Sequence, residues 1–445
     1  MSNTHWRKAL TGDFAKSGKW DDGRPGIKDD AFIAATGAAY TVKVISADAA
    51  HSLTLDSVNA TLLEKAQGSL HVGTLDIEAG TAILTTANTI GSIVVSAGLL
   101  AFSNSAALGN ATISLSRAGT LEATANAEIS NDIIAASLQA TFAVKNRSTL
   151  KLDGALTFNT HTSQTLNFIG NGVVDIDGQI GTASAHSFLT IKGVTLGSSI
   201  ADNSGFDTYL SSTQILKIDS NGVLDLTGQD NVTLQNLQGP GSLLNSGPHE
   251  HLTAAFISLS GGVTGDFDLT VDAGAFGGTL ALSSGDTIHV TEACQFDDVH
   301  FESPALTIDL EDSVGGGTLW LTGATFSGTA PAIDLGTGQN SSLSIDHTFG
   351  GTISNFGGHG GGTDHIFIDD VTDSADPTLH YKPNEAGTGG ELIVKYETMP
   401  AFVLNFEGTY TQDDFKIDPK NGAEIDGSAE QSSPQVPVHV MDALI

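Results

Sequence analysis

Short alternations of apolar and polar residues recur along the chain from about residue 40 onward. Turn-forming Gly, Asn, Asp and Ser residues separate one alternation from the next. Because successive side chains of a β-strand point to opposite faces, this pattern predicts short strands that each bury one face. The apolar pairs include Leu53/Leu55, Leu75/Ile77, Ile93/Val95, Ile113/Leu115, Ile257/Leu259, Leu343/Ile345 and Ile366/Ile368.

The spacing of these pairs predicts how the strands are arranged. Leu75 and Ile93 are 18 residues apart, and Leu343 and Ile366 are 23 residues apart. A period of about 20 residues with two or three strands is typical of one coil of a parallel β-helix. We therefore predict an all-β fold, a right-handed parallel β-helix (β-solenoid). A β-sandwich has similar turn spacing, but the Gly and Asn punctuation here continues without a domain-like break.

Both ends of the chain differ from the middle. Residues 1–40 carry two of the three Trp residues, and we predict that they form an N-terminal cap and a possible assembly segment. The solenoid itself is predicted over residues 41–370. Residues 371–427 are richer in aromatic side chains and predict a small C-terminal β-unit. Residues 428–445 are typical of a flexible tail, whose apolar end is a candidate C-terminal secretion signal.

Charge narrows the classes of partner. The formal net charge is −33, and no Lys or Arg occurs between Lys217 and Lys382. Nucleic acids and anionic membranes are recognised by clustered basic residues, so the sequence predicts neither partner. Cations are favoured because they screen a dense carboxylate surface. No apolar stretch is long enough for a transmembrane helix, and we expect neither membrane insertion nor an N-terminal secretory signal peptide.

Segments at both ends of the chain resemble a known group of proteins. The N-terminal segment reads GDFAKSGKWDDGRPGIKDDAFIAATGAAYTVKV, and C-terminal segments read GTISNFGGHGGGTDHIFIDDV and LNFEGTYTQDDFKI. They resemble the G-D-F…W…P…DDA…YTV and the F-G-x-G-D-x-I and L-x-G-x-Y-T-x-x-x-F segments of bacterial adhesin-like and haemagglutinin-like extracellular β-helix proteins. The C-terminal match departs from that pattern by extra glycines and His359.

The resemblance implies several properties of this chain. It implies type I secretion with an uncleaved C-terminal signal, and a location outside the cell at the bacterial surface. Structural, adhesive and biofilm-matrix roles are common in that group. Since the group is defined by architecture and export route, the resemblance says little about chemistry.

One candidate calcium site lies near the C-terminal end of the predicted solenoid, where residues 355–370 read NFGGHGGGTDHIFIDD. The glycine-rich turn, Asp and following apolar residue are similar to one calcium-binding nonapeptide repeat. The motif occurs once, whereas such repeats bind calcium in tandem. We therefore name Asp364, Asp369 and Asp370 as candidate calcium ligands. A plain glycine-rich corner is the interpretation that the segment favours over calcium binding.

Two other patterns bear on chemistry. In the segment GPHEHL, His249 and His251 would point the same way from a strand while Glu250 points the opposite way, and the sequence places no third metal ligand beside them. Close Asp pairs such as Asp175/Asp177, Asp266/Asp268 and Asp297/Asp298 would suit a glycoside hydrolase. With 51 acidic residues in the chain, such pairs are expected by chance.

These observations favour a non-enzymatic protein. We expect a secreted structural or adhesive surface protein that self-assembles through the solenoid ends into a fibre, a surface layer or a biofilm matrix, with calcium as an aid. An exposed strand edge templates pairing with another copy. Two alternatives stay open: an adhesin module that binds a cell-surface glycan, and a polysaccharide-degrading hydrolase on a β-helix.

Overall fold

The computed structural model describes residues 2–136, 139–158, 164–181, 187–303, 305–310, 316–321, 323–336, 340–357, 363–369, 377–397, 400–417 and 424–428. Nearly all of this structure is β, and its parallel strands stack as the coils of a β-solenoid with about 15 turns. The predicted all-β solenoid is therefore confirmed. The chain forms two compact units, unit 1 (Met1–Ser283) and unit 2 (Ser284–Ile445).

Unit 1 contains 25 strands and one α-helix among its described residues. The strands are β1 (Asn3–His5), β2 (Gly12–Asp13), β3 (Asp30–Ile33), β4 (Tyr40–Val44), β5 (Ala47–Glu64), β6 (Ser69–Leu84), β7 (Thr89–Val95), β8 (Leu99–Phe102), β9 (Thr112–Leu115), β10 (Thr120–Ala123), β11 (Ala127–Ile129), β12 (Ile133–Ala135), β13 (Gln139–Val144), β14 (Thr149–Leu152), β15 (Leu156–Phe158), β16 (Thr165–Gly170), β17 (Val173–Ile176), β18 (Ser187–Lys192), β19 (Thr195–Gly197), β20 (Thr213–Ile218), β21 (Val223–Asp225), β22 (Val232–Gly239), β23 (Ser242–Leu259), β24 (Val263–Phe276) and β25 (Thr279–Leu282). The helix is α1 (Ser204–Ser212), and short 3₁₀ turns occur at Ser17–Lys19 and Ser105–Leu108.

The described part of unit 2 continues with 14 strands and a 3₁₀ turn at Gln412–Asp414. The strands are β26 (Thr287–Phe296), β27 (His300–Phe301), β28 (Thr307–Asp309), β29 (Thr318–Leu321), β30 (Thr325–Phe326), β31 (Ala332–Asp334), β32 (Ser342–Ile345), β33 (Thr352–Ser354), β34 (Thr363–Ile368), β35 (Thr378–Pro383), β36 (Gly389–Lys395), β37 (Phe402–Glu407), β38 (Phe415–Ile417) and β39 (Glu424–Ser428).

The apolar pairs predicted from the sequence form a continuous column in unit 1. Leu53 is in register with Leu75, Leu75 with Ile93, and Ile93 with Ile113. All four side chains are fully buried. Neighbouring strands lie about 4.8 Å apart, so each inward side chain packs directly on its counterpart in the next coil.

Glycine and asparagine make the corners between the strands. Gly170 has φ +132°, and a Cβ at this position would lie 1.9 Å from the carbonyl oxygen of Val144. Asn88 accepts a hydrogen bond from the backbone N–H of Leu70 (2.6 Å) and donates one to the carbonyl oxygen of Ala107 (2.9 Å). Corner side chains thus satisfy backbone groups that the strand ladders leave unpaired.

Helix α1 is a departure from the regular coil. It lies between β19 and β20, and Asn203 caps it by accepting a hydrogen bond from the N–H of Phe206 at 3.2 Å. The side chains of its residues Phe206 and Tyr209 are buried. Within the described part of the chain, no helix is long and apolar enough to span a membrane.

Aromatic side chains pack together near the N-terminal end of unit 1. Trp20 lies edge-on to Trp6 and to Phe14, with ring centroids 5.1 and 5.0 Å apart. The Trp20 indole N–H donates to the carbonyl oxygen of Phe14 at 2.8 Å. Strand β1 pairs in parallel with β3, and residues near Trp6 also pair antiparallel with residues near Trp20. Segment 1–40 therefore contributes strands as well as this aromatic cluster.

The strand pattern changes in the last part of unit 2. Strands β35, β36 and β37 form an antiparallel meander, and β37 continues the parallel ladder of β33. Strand β39 pairs antiparallel with β34 and with β38. The aromatic rings of this region pack against one another: Phe356, Tyr381, Phe406, Tyr410 and Phe415.

The buried column predicts a large difference between inward and outward substitutions. We expect Ile93→Ala to destabilise the protein by about 2–5 kcal/mol, because it leaves a cavity between packed coils. Val58 is 81% exposed, so Val58→Ala should change stability by less than about 0.5 kcal/mol. Urea unfolding followed by circular dichroism measures both, and equal effects of the two substitutions would contradict the stacked-core assignment.

Candidate functional site

Two of the three candidate calcium ligands fall within the described residues: Asp364 is the second residue of strand β34, and Asp369 directly follows the end of that strand. Asp364 is fully buried and accepts hydrogen bonds from the backbone N–H groups of Ser341 and Gly357, both at 2.9 Å. Asp369 is exposed and accepts a hydrogen bond from the Ser344 hydroxyl. Asp370 lies outside the described residues, as does His359.

The positions of these two aspartates limit what they can share. Asp369 follows Asp364 by five residues, so in extended chain their Cα atoms are about 16 Å apart. Because five is an odd number of residues, their side chains point to opposite faces. Asp364 and Asp369 therefore cannot ligate one ion together. Calcium binding by this segment stays a prediction, and the observed contacts of Asp364 are those of a buried acceptor for two backbone N–H groups.

A second group of polar side chains lies on strands β23 and β24 of unit 1. His249 and His251 are exposed, and Glu250 between them is buried, as the alternation predicts. The register of the two strands pairs Glu250 with Phe267 and His251 with Asp268. The neighbouring coil thus places the sequence Asp-x-Asp alongside His-x-His, on the same outer face. We call His249, His251, Asp266 and Asp268 the His/Asp cluster.

Short distances connect the four side chains of the His/Asp cluster. His249 Nδ1 lies 2.5 Å from an Asp266 oxygen, and His249 Nε2 lies 3.0 Å from Asp268 Oδ2. The same Asp268 oxygen lies 3.5 Å from His251 Nδ1. The two imidazole rings are nearly perpendicular, with centroids 5.2 Å apart. Hydrogen bonds to Asp266 and Asp268 raise the pKa of His249 to about 9.

The sequence identified the His pair and the Asp pair of this cluster but did not connect them. The missing signal was the spacing: 17 residues separate His249 from Asp266 and His251 from Asp268, which is the length of one coil in this region. When two pairs of outward-facing polar residues are one coil length apart in sequence, the parallel strand pairing brings them side by side.

The residue between the two histidines has a different environment. Glu250 is 1% exposed, and one of its oxygens accepts a hydrogen bond from the N–H of Gly228 at 3.2 Å. Burial, and then repulsion by the nearby Asp230 carboxylate, raises the pKa of Glu250 to about 7. The ionised form of Glu250 therefore opposes folding at alkaline pH.

The pair Asp175/Asp177 lies beside α1. Both carboxylates accept the backbone N–H of Ser199, at 2.7 and 2.9 Å, and Asp177 also contacts the Lys151 ammonium at 3.1 Å. Burial raises the pKa of Asp175. Burial also acts to raise the pKa of Asp177, but hydrogen bonds from Ser199 and Lys151 outweigh it and the pKa is lowered.

A polar cleft of about 410 Å³ adjoins this pair, lined by residues that include Asp177, Gln179, Asn203, Ser204 and Thr208. Asp177 has a lysine and two serine hydroxyls as partners, Ser198 at 3.0 Å and Ser199 at 2.6 Å. These contacts tie the segment preceding α1 to the coils below it, which is a structural role.

Comparison with known proteins yields no relationship: no family model, no curated protein and no solved structure matches the chain. The fold defines the class to which the protein can be assigned, the parallel β-solenoids.

The buried carboxylate predicts a pH-dependent stability. Folding raises the pKa of Glu250, so its destabilising contribution is present above pH 7 and fades as the pH falls toward its unfolded value of about 4.3. We expect Glu250→Gln to raise the melting temperature at pH 8 and to leave it nearly unchanged at pH 4.5.

The matched control is Glu128→Gln, because Glu128 is an exposed strand residue on the outer face of unit 1. Thermal melts at both pH values compare the two variants. A Glu250→Gln variant that is equally destabilised at pH 8 and pH 4.5 would show that the ionised carboxylate is not opposing folding.

Proposed function

We propose that this protein is a secreted structural or adhesive component of the bacterial cell surface that assembles with copies of itself through the ends of its solenoid. The fold supports this proposal because a solenoid presents the same ladder of backbone groups at every coil. The last coil is therefore a template for a strand from another copy. The resemblance of the chain ends to type I-secreted β-helix proteins supports the extracellular location.

The observation that carries the proposal is the pairing of strand β39 on β34. The other coil-forming strands of this ladder pair in parallel, as β32 does with β34. Strand β39 instead covers the edge of β34 in antiparallel orientation, over five register positions from Thr363/Ser428 to Phe367/Glu424. A short strand that covers a ladder edge is an element that neighbouring copies can exchange at low cost, since each copy regains the same contacts.

The strong negative charge of the protein determines the ionic conditions under which copies can assemble. A formal net charge of −33 makes two copies repel each other. Divalent cations reduce this repulsion by screening carboxylates and by bridging them. We therefore include calcium in this proposal as an aid to assembly. Asp369 offers an exposed carboxylate near the proposed contact between copies.

A reversible crosslink between β34 and β39 tests strand exchange. His365 and Asp426 are register partners, and directly opposed residues of antiparallel strands have Cα atoms about 4.5–5.5 Å apart, which suits a disulfide. We expect His365→Cys/Asp426→Cys, in a Cys294→Ser background, to stay monomeric when oxidised and to assemble when reduced. Negative-stain microscopy and light scattering with added calcium measure the assembly.

The single-cysteine variants in the same background serve as controls and should assemble under both redox conditions. A chelator should disperse the assemblies formed in calcium. Assembly of the oxidised double variant to the same extent as its controls would rule out exchange of β39. Absence of assembly in the unmodified protein across calcium concentrations would rule out the proposed function itself.

A further inference from the structure

The His/Asp cluster contains three ligand atoms at a spacing that suits a metal ion. The ligand atoms offered by His249, His251 and Asp268 all lie within 4.8 Å of one another. Their side chains reach this arrangement from two adjacent strands, β23 and β24, whose register is fixed by the packed interior beneath them. The arrangement thus depends on the pairing of these two strands.

Two of the three separations between these atoms are close to those of a tetrahedral site. Zinc–nitrogen and zinc–oxygen bonds of about 2.0–2.1 Å in tetrahedral geometry place neighbouring ligand atoms about 3.3 Å apart. Asp268 Oδ2 lies 3.0 Å from His249 Nε2 and 3.5 Å from His251 Nδ1. An ion between the three groups would take the place of the proton that Nε2 of His249 donates to Asp268.

Asp266 adds the contact that metal-binding histidines commonly have. It lies 2.5 Å from His249 Nδ1, so the Nδ1–H donates to this carboxylate and Nε2 is the nitrogen that faces His251 and Asp268. A carboxylate that holds the outer nitrogen of a histidine fixes the ring orientation and increases the basicity of the ligating nitrogen. Asp266 is a positioning residue in this arrangement.

The donor set discriminates between metal classes. Two imidazoles and one carboxylate suit zinc and related divalent transition ions, whereas calcium takes six to eight oxygen ligands. The side chains of His249 and His251 are 42% and 56% exposed. Water or a donor from another molecule would fill the fourth position of a tetrahedral site.

We propose that His249, His251 and Asp268 bind a divalent transition-metal ion of the zinc class, with Asp266 positioning His249. This site is distinct from the calcium-assisted assembly described above, and it does not depend on strand exchange. It requires only the register of β23 and β24.

Zinc binding by the full chain tests the proposal. Protein carrying no histidine tag is stripped of metal and dialysed against zinc, and the bound metal is counted by elemental analysis. We expect His251→Ala and Asp268→Asn each to bind one zinc fewer than the wild type at the same free zinc. Asp266→Asn should retain the site with an affinity lower by about 10- to 100-fold. Circular dichroism checks that each variant is folded.

The matched control is His51→Ala. His51 also pairs with an aspartate one coil away, with His51 Nδ1 2.8 Å from Asp30, but the described residues place no second histidine in that pair. This variant should bind as much zinc as the wild type. Cobalt in place of zinc should give the visible absorption of a tetrahedral site in the wild type and in His51→Ala, and not in His251→Ala.

Two results would overturn the proposal. One is a zinc count in His251→Ala and Asp268→Asn equal to that of the wild type. The other is displacement of the zinc by calcium at a comparable concentration, which would indicate general binding to surface carboxylates.

Discussion

Packing of inward-facing Leu, Ile and Val side chains between adjacent coils is the interaction on which the rest of the structure depends. Each coil is too thin to bury its own apolar face, so the stability of one coil comes from its neighbours. Burial of a Leu or Ile side chain contributes about 1.5–3 kcal/mol. A shift of one residue would turn the apolar side chains outward, so this packing also fixes the register of the parallel strands.

The fixed register determines which outward side chains meet. Residues about one coil length apart in sequence become direct neighbours, as Thr74 and Ser92 do with their hydroxyl oxygens 3.0 Å apart. Lys145 reaches Glu122 in the same way, at 2.8 Å. The His/Asp cluster is a further case, in which two polar pairs on adjacent coils come together. A functional site on such a surface therefore combines side chains from adjacent coils.

The register-forming core was predictable from the sequence because period-two alternation and the coil-length spacing are local signals. Helix α1 was not predictable from the sequence. Its buried residues Phe206, Tyr209 and Leu210 cover only about two turns, and they follow a run of turn-forming residues. Asp364 occupies an inward position of β34 that the alternation alone would give to an apolar residue. Its carboxylate is tolerated there because it accepts two backbone N–H groups.

The chemistry of the outer face was only partly predictable. The sequence shows His249 and His251 sharing a strand face, and it shows Asp266 and Asp268 doing the same, but their meeting depends on the exact length of the intervening coil. Coil length varies along the chain with corner loops and with insertions such as α1. A single sequence therefore leaves the alignment of distant coils undetermined, and the packed interior supplies it.

Cysteine pairs on the outer face of unit 1 test whether adjacent coils stack in parallel with this register. In a Cys294→Ser background, we expect Thr74→Cys/Ser92→Cys to form an intramolecular disulfide readily under mild oxidation, because these residues are register partners. The offset pair Thr74→Cys/Val94→Cys, two residues out of register on the same face, should crosslink far more slowly. Mass spectrometry of peptides from the oxidised monomers measures both yields. Preferential crosslinking of the offset pair, or equal yields for the two pairs, would contradict the register on which the fold and its sites rest.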